Sequence, residues 1–263
     1  MLCIDAQEMT VNPLPQRRTG LVLGARIDAL SWDAALERLL SWAHARESRY
    51  VTICNVHVVV SASRDAGYRE VINGSDMATP DGAPVAWMLR RQGFAKQPRI
   101  SGPDLMWVLC ERAASEYLPI YCYGSTEATL ALLERRLLAA FPKLRIRMES
   151  PPFRALSAEE DAAAVDRINT SGAGIVFVGL GCPKQECWMA EHRGRVNAVM
   201  IGVGAAFDFH AGTVRRAPTW MRDNGLEWLH RLLSEPGRLW KRYLVTNTLF
   251  IIGAARQLMG GKT

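Results

Sequence analysis

Four polar or glycine-containing turns, each directly after a predicted strand, are the parts of the sequence that could carry chemistry. They are Asn55, Pro80-Asp81-Gly82, Gly124-Ser125 and the run Gly179-Leu-Gly181-Cys-Pro-Lys-Gln185-Glu186. Glycines at such positions let backbone N–H groups approach a phosphate at the N-terminus of the following helix. The turns at Gly124-Ser125 and at Gly179-Leu-Gly181 resemble nucleotide-binding loops, but neither is a complete Gly-x-Gly-x-x-Gly or a P-loop. A phosphorylated or nucleotide ligand and a pair of ordinary tight turns therefore both remain open.

Asp81 is the candidate general base. An aspartate between proline and glycine commonly bonds its own backbone in a turn, and spacing alone favours that role. At a strand end it could instead take a proton from a hydroxyl nucleophile. Asn55 is similarly placed and is by default a helix cap. Gln185 is either solvated on a first helical turn or bonds a sugar hydroxyl.

The sequence contains no Asp-x-Asp, the paired carboxylates that usually hold a nucleotide-sugar diphosphate through a divalent metal. It also has no Cys-x-x-Cys and no histidines at metal-ligand spacing, so no zinc site is predicted. Arginines would have to neutralise a diphosphate leaving group, because the guanidinium is always charged and binds oxyanions in a bidentate manner. The C-terminal tail supplies them.

The basic charge is confined to that tail. Residues 1–210 carry 23 Lys and Arg against 23 Asp and Glu, whereas residues 211–263 carry nine against three, which accounts for the whole net charge of +6. Trp220, Trp228, Trp240 and Tyr243 interleave with the arginines. Such a pattern suits single-stranded nucleic acid, a lipid–water interface with anionic lipid, or a packed helical hairpin with a solvated basic face. Composition does not choose among these three.

The elements that would position these residues alternate between strand and helix. Strands are predicted at residues 20–24, 50–54, 75–79, 119–123, 144–148, 174–178 and 196–203. Helices are predicted after the cap Ser31, over 56–73 with a break near 65–67, after Pro84, and over 105–117, 126–140, 157–169 and 183–192. Continuous apolar strands alternating with helices predict a parallel sheet covered on both faces, with sites at the carboxyl ends of its strands.

The domain organisation follows from the same patterns. We expect an irregular arm over residues 1–20, an α/β catalytic body with a Rossmann-like parallel sheet over 21–210, and a helical, basic, Trp- and Arg-rich appendage over 211–263 that associates with membranes. No signal peptide and no transmembrane segment is predicted. The six cysteines are scattered, so we expect free thiols in a reducing, cytoplasmic compartment.

The order of eight motifs resembles the WecG/TagA/CpsF glycosyltransferase family (glycosyltransferase family 26), over roughly residues 20–245. The motifs are Asn55, Ala78-Thr-Pro-Asp-Gly-Ala-Pro84, Arg99-Ile-Ser-Gly-Pro-Asp104, Tyr123-Gly-Ser125, Gly179 to Trp188, Gly202-Val-Gly-Ala-Ala-Phe-Asp208-Phe-His-Ala-Gly212, Arg216-Ala-Pro218 and Gly225-Leu-Glu-Trp-Leu-His-Arg231.

The resemblance implies an inverting transferase that moves a sugar from a UDP-sugar onto a polyprenyl-diphosphate-linked sugar. It would act as a peripheral protein at the cytoplasmic face of the inner membrane, in exopolysaccharide or cell-wall polymer synthesis, with neither metal nor cofactor. N-acetylmannosamine, its uronic acid and glucose are the candidate donor sugars, with glucose slightly favoured. The expected partners are the donor, the acceptor and an anionic membrane surface. No nucleic acid is expected, and a homo-oligomer stays open.

The resemblance also implies roles for particular residues. Asp81 becomes the favoured base, with Asn55 and Arg99 beside it. The family often has a threonine two residues before Asn55, where this chain has Ile53. The donor and acceptor would be bound by a larger set, namely Gly124, Ser125, Gly179, Gly181, Gln185, Asp208, Arg215, Arg216, Arg231, Arg238 and Arg242.

Two other classes of protein remain as alternatives. An NAD-dependent oxidoreductase could use the same sheet, although it would need a full Gly-x-Gly-x-x-Gly, which Lys184 interrupts. A nucleic-acid-binding module could use the Arg and Trp residues of the tail, and its binding would weaken steeply with salt.

Overall fold

The computed structural model describes residues 17–260, apart from the side chains of Asp223 and Arg238. Its first two strands, β1 (Thr19–Val22) and β2 (Ala25–Asp28), form an antiparallel hairpin. The sequence predicts only one strand here, at 20–24. The chain instead reverses at Leu23 and Gly24, whose φ angles are 50° and 84°. These angles match the positive φ that a type I′ hairpin turn needs at both of its central residues. Residues 1–16 of the predicted arm lie outside the described residues.

Six parallel strands form the central sheet: β3 (Arg49–Cys54), β4 (Met77–Pro80), β5 (Ile120–Gly124), β6 (Ile146–Glu149), β7 (Ile175–Gly179) and β8 (Val199–Gly202). Their order across the sheet is β4-β3-β8-β7-β5-β6, and every neighbouring pair is parallel. The predicted Rossmann-like α/β fold is confirmed. The last strand is shorter than the predicted run 196–203, because residues 193–198 form turns before it.

Helices cover both faces of this sheet, as the continuous apolar strands predict. Phe177 of β7 packs into one helical layer, whereas its neighbours Val176 and Val178 pack into the other. The helices that precede the tail are α1 (Trp32–His44), α2 (Val56–Arg64), α3 (Ala66–Asn73), α4 (Ala83–Arg91), α5 (Gly102–Ser115), α6 (Glu127–Ala140), α7 (Ala158–Thr170), α8 (Lys184–His192) and α9 (Ala206–Ala211).

Local capping explains where several helices begin. The Ser31 hydroxyl accepts a hydrogen bond from the Ala34 N–H at 3.1 Å and starts α1. Ser157 and Glu160 form a complete capping box at the start of α7. The predicted break in the helix after Asn55 falls at Asp65, whose carboxylate accepts from the Tyr68 N–H and begins α3. These side chains satisfy backbone donors that a helix N-terminus leaves unpaired.

The tail is helical, as predicted, and comprises α10 (Thr219–Asp223), α11 (Glu227–Ser234) and α12 (Pro236–Leu258). The last turns of α12 belong to the core, since Phe250 and Ala254 are buried in a cluster with α2 and the β1–β2 hairpin. Gly253 permits this approach, because a Cβ there would lie 2.6 Å from the Leu23 side chain. In the described part of the chain, no helix is both long and apolar enough to span a bilayer. The boundary near residue 210 stays a prediction.

Candidate active site

A cavity of about 510 Å³ opens at the carboxyl ends of β3, β4 and β8. Asn55 follows β3, Asp81 follows β4 and Val203 follows β8, and all three line it. Helices α11 and α12 form the opposite wall with residues that include Glu227 and Arg242. The site therefore lies where ligands bind in parallel α/β sheets. The C-terminal segment, which is the tail of residues 211–263, closes it.

Asp81 lines this cavity as a half-buried carboxyl group. Its backbone N–H donates to the Cys54 carbonyl at 3.0 Å, which joins the ends of β4 and β3. Burial raises the pKa of Asp81 to about 6; the nearby Glu227 carboxylate adds to the rise and Arg99 opposes it. No hydrogen bond reaches this carboxylate from the described residues. A carboxylate of this kind is ionised at neutral pH and is a better proton acceptor than an ordinary aspartate, as a general base requires.

Asn55 and Gln185 also lie in the cavity wall. The Asn55 side chain caps α2 by accepting from the Val58 N–H at 3.2 Å, so its amide nitrogen is the group left to meet a ligand. Gln185 is buried, and its carboxamide accepts from the Gly181 N–H at 3.2 Å and donates to Glu186 at 2.8 Å. These bonds set the orientation of the Gln185 amide at the cavity edge.

The residue two positions before Asn55 is Ile53, which lines the cavity. The neighbouring Thr52 is fully buried, and its hydroxyl donates to the Ser75 hydroxyl at 3.3 Å. Successive side chains of a strand point to opposite faces, so the Thr52 hydroxyl cannot take the place of a threonine at position 53.

Arg99 belongs to a network of ion pairs at one end of the cavity. Its guanidinium donates to Glu227 at 2.8 Å and lies 3.5 Å from Asp104. Arg216 donates two hydrogen bonds to Asp104, at 2.7 and 2.8 Å, and Arg222 donates a third at 3.3 Å. Although burial raises the pKa of Asp104, the hydrogen bonds from Arg216 and Ser101 outweigh it and hold the pKa at about 2. The network joins the C-terminal segment to the catalytic body.

Asp104 and Glu227 were not predicted as site residues. Asp104 directly precedes the predicted helix 105–117, and it lies in the first turn of α5. Glu227 is one of only three acidic residues in the basic tail. An acidic residue isolated among arginines indicates an ion pair, although the sequence does not show which arginine Glu227 binds.

Arg231 and Arg242 form a second group of cations in the cavity wall. The Arg231 guanidinium lies over the Phe209 ring at 5.3 Å, and the Nε atoms of both arginines are buried without a hydrogen-bond partner. The structure records no ion pair for either within the described part of the chain. Arg216 and Arg222, by contrast, are both paired with Asp104.

Five other predicted residues lie outside the cavity lining: Gly124, Ser125, Gly179, Asp208 and Arg215. Gly124 and Gly179 abut each other at the ends of β5 and β7, where a Cβ on Gly124 would lie 2.6 Å from the Gly179 backbone. Ser125 donates its N–H to the Gly179 carbonyl at 3.2 Å. Asp208 accepts from Thr213, and Arg215 is exposed. The Arg238 side chain lies outside the described residues. Roles in ligand binding for these residues stay predictions.

Metal ligands are absent from the described part of the chain: within residues 17–260, no three His, Cys, Asp or Glu side chains are arranged to hold a metal ion. The cations in the cavity wall are arginines. Independence from metals and cofactors stays a prediction.

One comparison with known proteins bears on this site. The model of a protein family, described as the glycosyl transferase WecG/TagA/CpsF family, matches residues 21–263. The match spans the parallel sheet, the cavity and the C-terminal helices together.

Proposed function

The chain belongs to the WecG/TagA/CpsF glycosyl transferase family, and we propose that it is an inverting transferase that moves a hexose from a UDP-sugar to a polyprenyl-diphosphate-linked sugar. The observation that carries this proposal is Asp81, a half-buried carboxylate with a raised pKa and no hydrogen bond from the described residues, facing a cavity walled by arginines. The product would enter an exopolysaccharide or a cell-wall polymer.

The proposed reaction is a single displacement. Asp81 takes the proton of the acceptor hydroxyl, and that oxygen attacks the anomeric carbon of the donor sugar. The bond from this carbon to the diphosphate oxygen breaks as the new glycosidic bond forms, so that UDP departs and the anomeric configuration inverts. A carboxylate with a pKa of about 6 is ionised at neutral pH and still basic enough to accept the proton.

Stabilisation of the departing diphosphate falls to Arg231 and Arg242 in this proposal. The charges of Arg216 and Arg222 are already engaged by Asp104. Arg231 and Arg242 line the cavity and have no ion-pair partner among the residues that the structure describes. Guanidinium groups aimed at a developing negative charge lower the barrier in the same way as an oxyanion hole. We expect the reaction to need no divalent metal.

We propose a peripheral position at the cytoplasmic face of the inner membrane, and the exposed surface of α12 supports contact with a membrane. Trp240, Leu244 and Val245 are 48%, 63% and 49% exposed. Lys241 Nζ lies 5.4 Å from the centroid of the Trp240 ring, and Arg256 is exposed on the same helix. Aromatic and aliphatic side chains mixed with cations favour an anionic lipid surface. The same helix walls the cavity, so a lipid-linked acceptor could reach Asp81 from the membrane.

Glucose is the donor sugar that we favour slightly. N-acetylmannosamine and its uronic acid are the alternatives within the family. The match to a transferase family over both the sheet and the basic tail favours this activity over an NAD-dependent oxidoreductase or a nucleic-acid-binding module.

The test is an assay of the purified protein with a panel of UDP-sugars and a synthetic polyprenyl-diphosphate-sugar acceptor, without magnesium. We expect turnover with one UDP-hexose, a loss of about 10²- to 10⁴-fold in Asp81→Asn, and nearly unchanged UDP affinity in that variant. Asp166→Asn, at an exposed position of α7, is the matched control. Near-normal turnover in Asp81→Asn would remove Asp81 from the role of base. A thermal-shift measurement tests the class of protein: a rise in Tm with NAD or an oligonucleotide, and none with UDP, would overturn the assignment as a transferase.

A further inference from the structure

Glu227 belongs to the C-terminal segment and lines the same cavity as the candidate base Asp81. It comes from the first turn of α11 and accepts a hydrogen bond from Arg99 Nη1 at 2.8 Å. Its second carboxylate oxygen lies 3.7 Å from Arg216 Nε. The Arg99 and Glu227 side chains are each 19% exposed, so their attraction is only partly screened by water.

The contact decides where the Arg99 guanidinium points. Arg99 and Asp81 both line the cavity, and their opposite charges attract each other. Among the described residues, the charged groups that act on Asp81 include Glu227 of α11, Arg99 of the loop before α5, Asp104 of α5, and Arg216 of the segment before α10. In this arrangement Arg99 bonds Glu227 and Asp104, and the Asp81 carboxylate keeps its lone pairs for a ligand.

We propose that Glu227 is a positioning residue that holds Arg99 away from Asp81 and thereby keeps the Asp81 carboxylate free to accept a proton. The inference rests on the proposed function, in which Asp81 is the base. Without Glu227, Arg99 would pair with Asp81, because the two opposite charges face the same partly desolvated cavity. The C-terminal segment then supplies an anion that the base requires, in addition to the cations that meet the diphosphate.

The test is a titration of the Asp81 side chain by NMR with ¹³C-labelled aspartate, in which the Asp81→Asn spectrum identifies the resonance. Glu227→Gln removes the charge and keeps the size, and Glu227→Ala serves as a second variant if the first folds poorly. We expect the midpoint of the Asp81 titration to fall by about one pH unit or more, since a newly paired arginine favours the carboxylate. The acidic limb of the kcat/KM profile should move in the same direction, with a lower kcat at neutral pH.

A double-variant comparison separates pairing from simple repulsion. In an Arg99→Met background, Glu227→Gln should lower the midpoint by clearly less than it does with Arg99 present. Equal falls in both backgrounds would overturn the proposal, because Glu227 would then act on Asp81 directly and not through Arg99. An unchanged midpoint in both Glu227 variants would overturn it as well.

Glu235→Gln is the matched control, since it removes one acidic charge from the same segment at a position outside the cavity lining. It should leave the titration of Asp81 unchanged, and a fall equal to that of Glu227→Gln would overturn the specific role of Glu227. The titration does not depend on turnover. If Asp81→Asn were active, the proposed base would fail, while the NMR data would still report whether Glu227 controls the Arg99–Asp81 pairing.

Discussion

Arg216 and Asp104 form a bidentate ion pair, with two hydrogen bonds of 2.7 and 2.8 Å between the guanidinium and the carboxylate. Arg216 lies at the start of the C-terminal segment and Asp104 in the first turn of α5, so 112 positions of chain separate them. The pair holds the segment that carries Glu227, Arg231 and Arg242 against the catalytic body. The shape of the cavity therefore depends on it.

We predict that Asp104→Asn lowers the free energy of unfolding by about 2 kcal/mol at pH 7. The pKa of Asp104 is held at about 2 in the folded chain, below its value of about 4 in an unfolded chain. A carboxyl group with a depressed pKa contributes its stabilisation above pH 4, and the contribution is lost as the pH falls toward 2. Urea unfolding of both proteins between pH 7 and pH 3 should show the difference narrow below pH 4. Equal stabilities at pH 7 would refute a structural role for the pair, and Asp166→Asn should match the wild type throughout.

We predict that kcat/KM falls about tenfold per pH unit below pH 6. The pKa of Asp81 is raised to about 6 by burial and by Glu227, and only the ionised form can accept a proton from the acceptor. The measurement is the pH profile of kcat/KM between pH 5 and 8 under subsaturating acceptor. A profile that stays level down to pH 5 would contradict the assignment of Asp81 as the base.

We predict that Arg231→Gln and Arg242→Gln each raise the Kd for UDP by about tenfold or more, because each loses a charge-assisted hydrogen bond of about 1.5 kcal/mol or more. Isothermal titration calorimetry without magnesium measures the effect. Arg256→Gln, an exposed position on the same helix α12, should bind UDP as the wild type does. Unchanged UDP affinity in Arg231→Gln and Arg242→Gln would contradict contact between these arginines and the diphosphate of UDP. Weaker binding of a short prenyl diphosphate in the same variants would then show that they contact the acceptor.

We predict that the double variant Trp240→Ser, Leu244→Ser binds anionic vesicles about tenfold or more weakly, because it removes two exposed apolar side chains that would enter the lipid interface. Sedimentation with phosphatidylglycerol vesicles measures binding, and pure phosphatidylcholine vesicles show how much depends on charge. Leu138→Ser, on the exposed face of α6, is the control.

Surface substitution is a cleaner test of membrane binding than removal of residues 212–263. Phe250 and Ala254 of α12 belong to the core cluster around α2, so the truncated chain would also lose buried contacts. Vesicle binding that is unchanged in the double variant would show that this surface is not the contact with lipid.

Local patterns in the sequence predicted most of the fold. Continuous apolar runs such as Tyr50-Val-Thr-Ile-Cys54 mark strands buried on both faces, and caps such as Ser31 and Ser157 mark helix starts. The second arm of the N-terminal hairpin was missed, because the turn at Leu23-Gly24 has no Asn-Gly or Asp-Gly and its first residue is an unexpected one for positive φ. Each of these features depends on neighbours within a few residues.

The sequence predicted some of the cavity residues correctly and placed others in the site that lie outside the cavity. Asp81, Asn55, Gln185 and Gly181 were predicted from their positions after strands, and they line the cavity. Gly124, Ser125 and Gly179 have the same local pattern but lie outside its lining. Gly124 and Ser125 follow β5, which is three strands away from β3 in the sheet, and Gly179 at the end of β7 packs against Gly124.

The sequence by itself determined the alternation of strands and helices, the confinement of the net charge of +6 to residues 211–263, and the ordered motifs of a transferase family. The tertiary structure alone decided which of the described tail arginines have an ion-pair partner. Asp104 compensates Arg216 and Arg222, and Glu227 compensates Arg99. Arg231 and Arg242 line the cavity and have no ion pair with any described residue. The reason is physical: a charge is compensated by whatever lies within a few ångströms, and folding brings together residues that are more than a hundred positions apart.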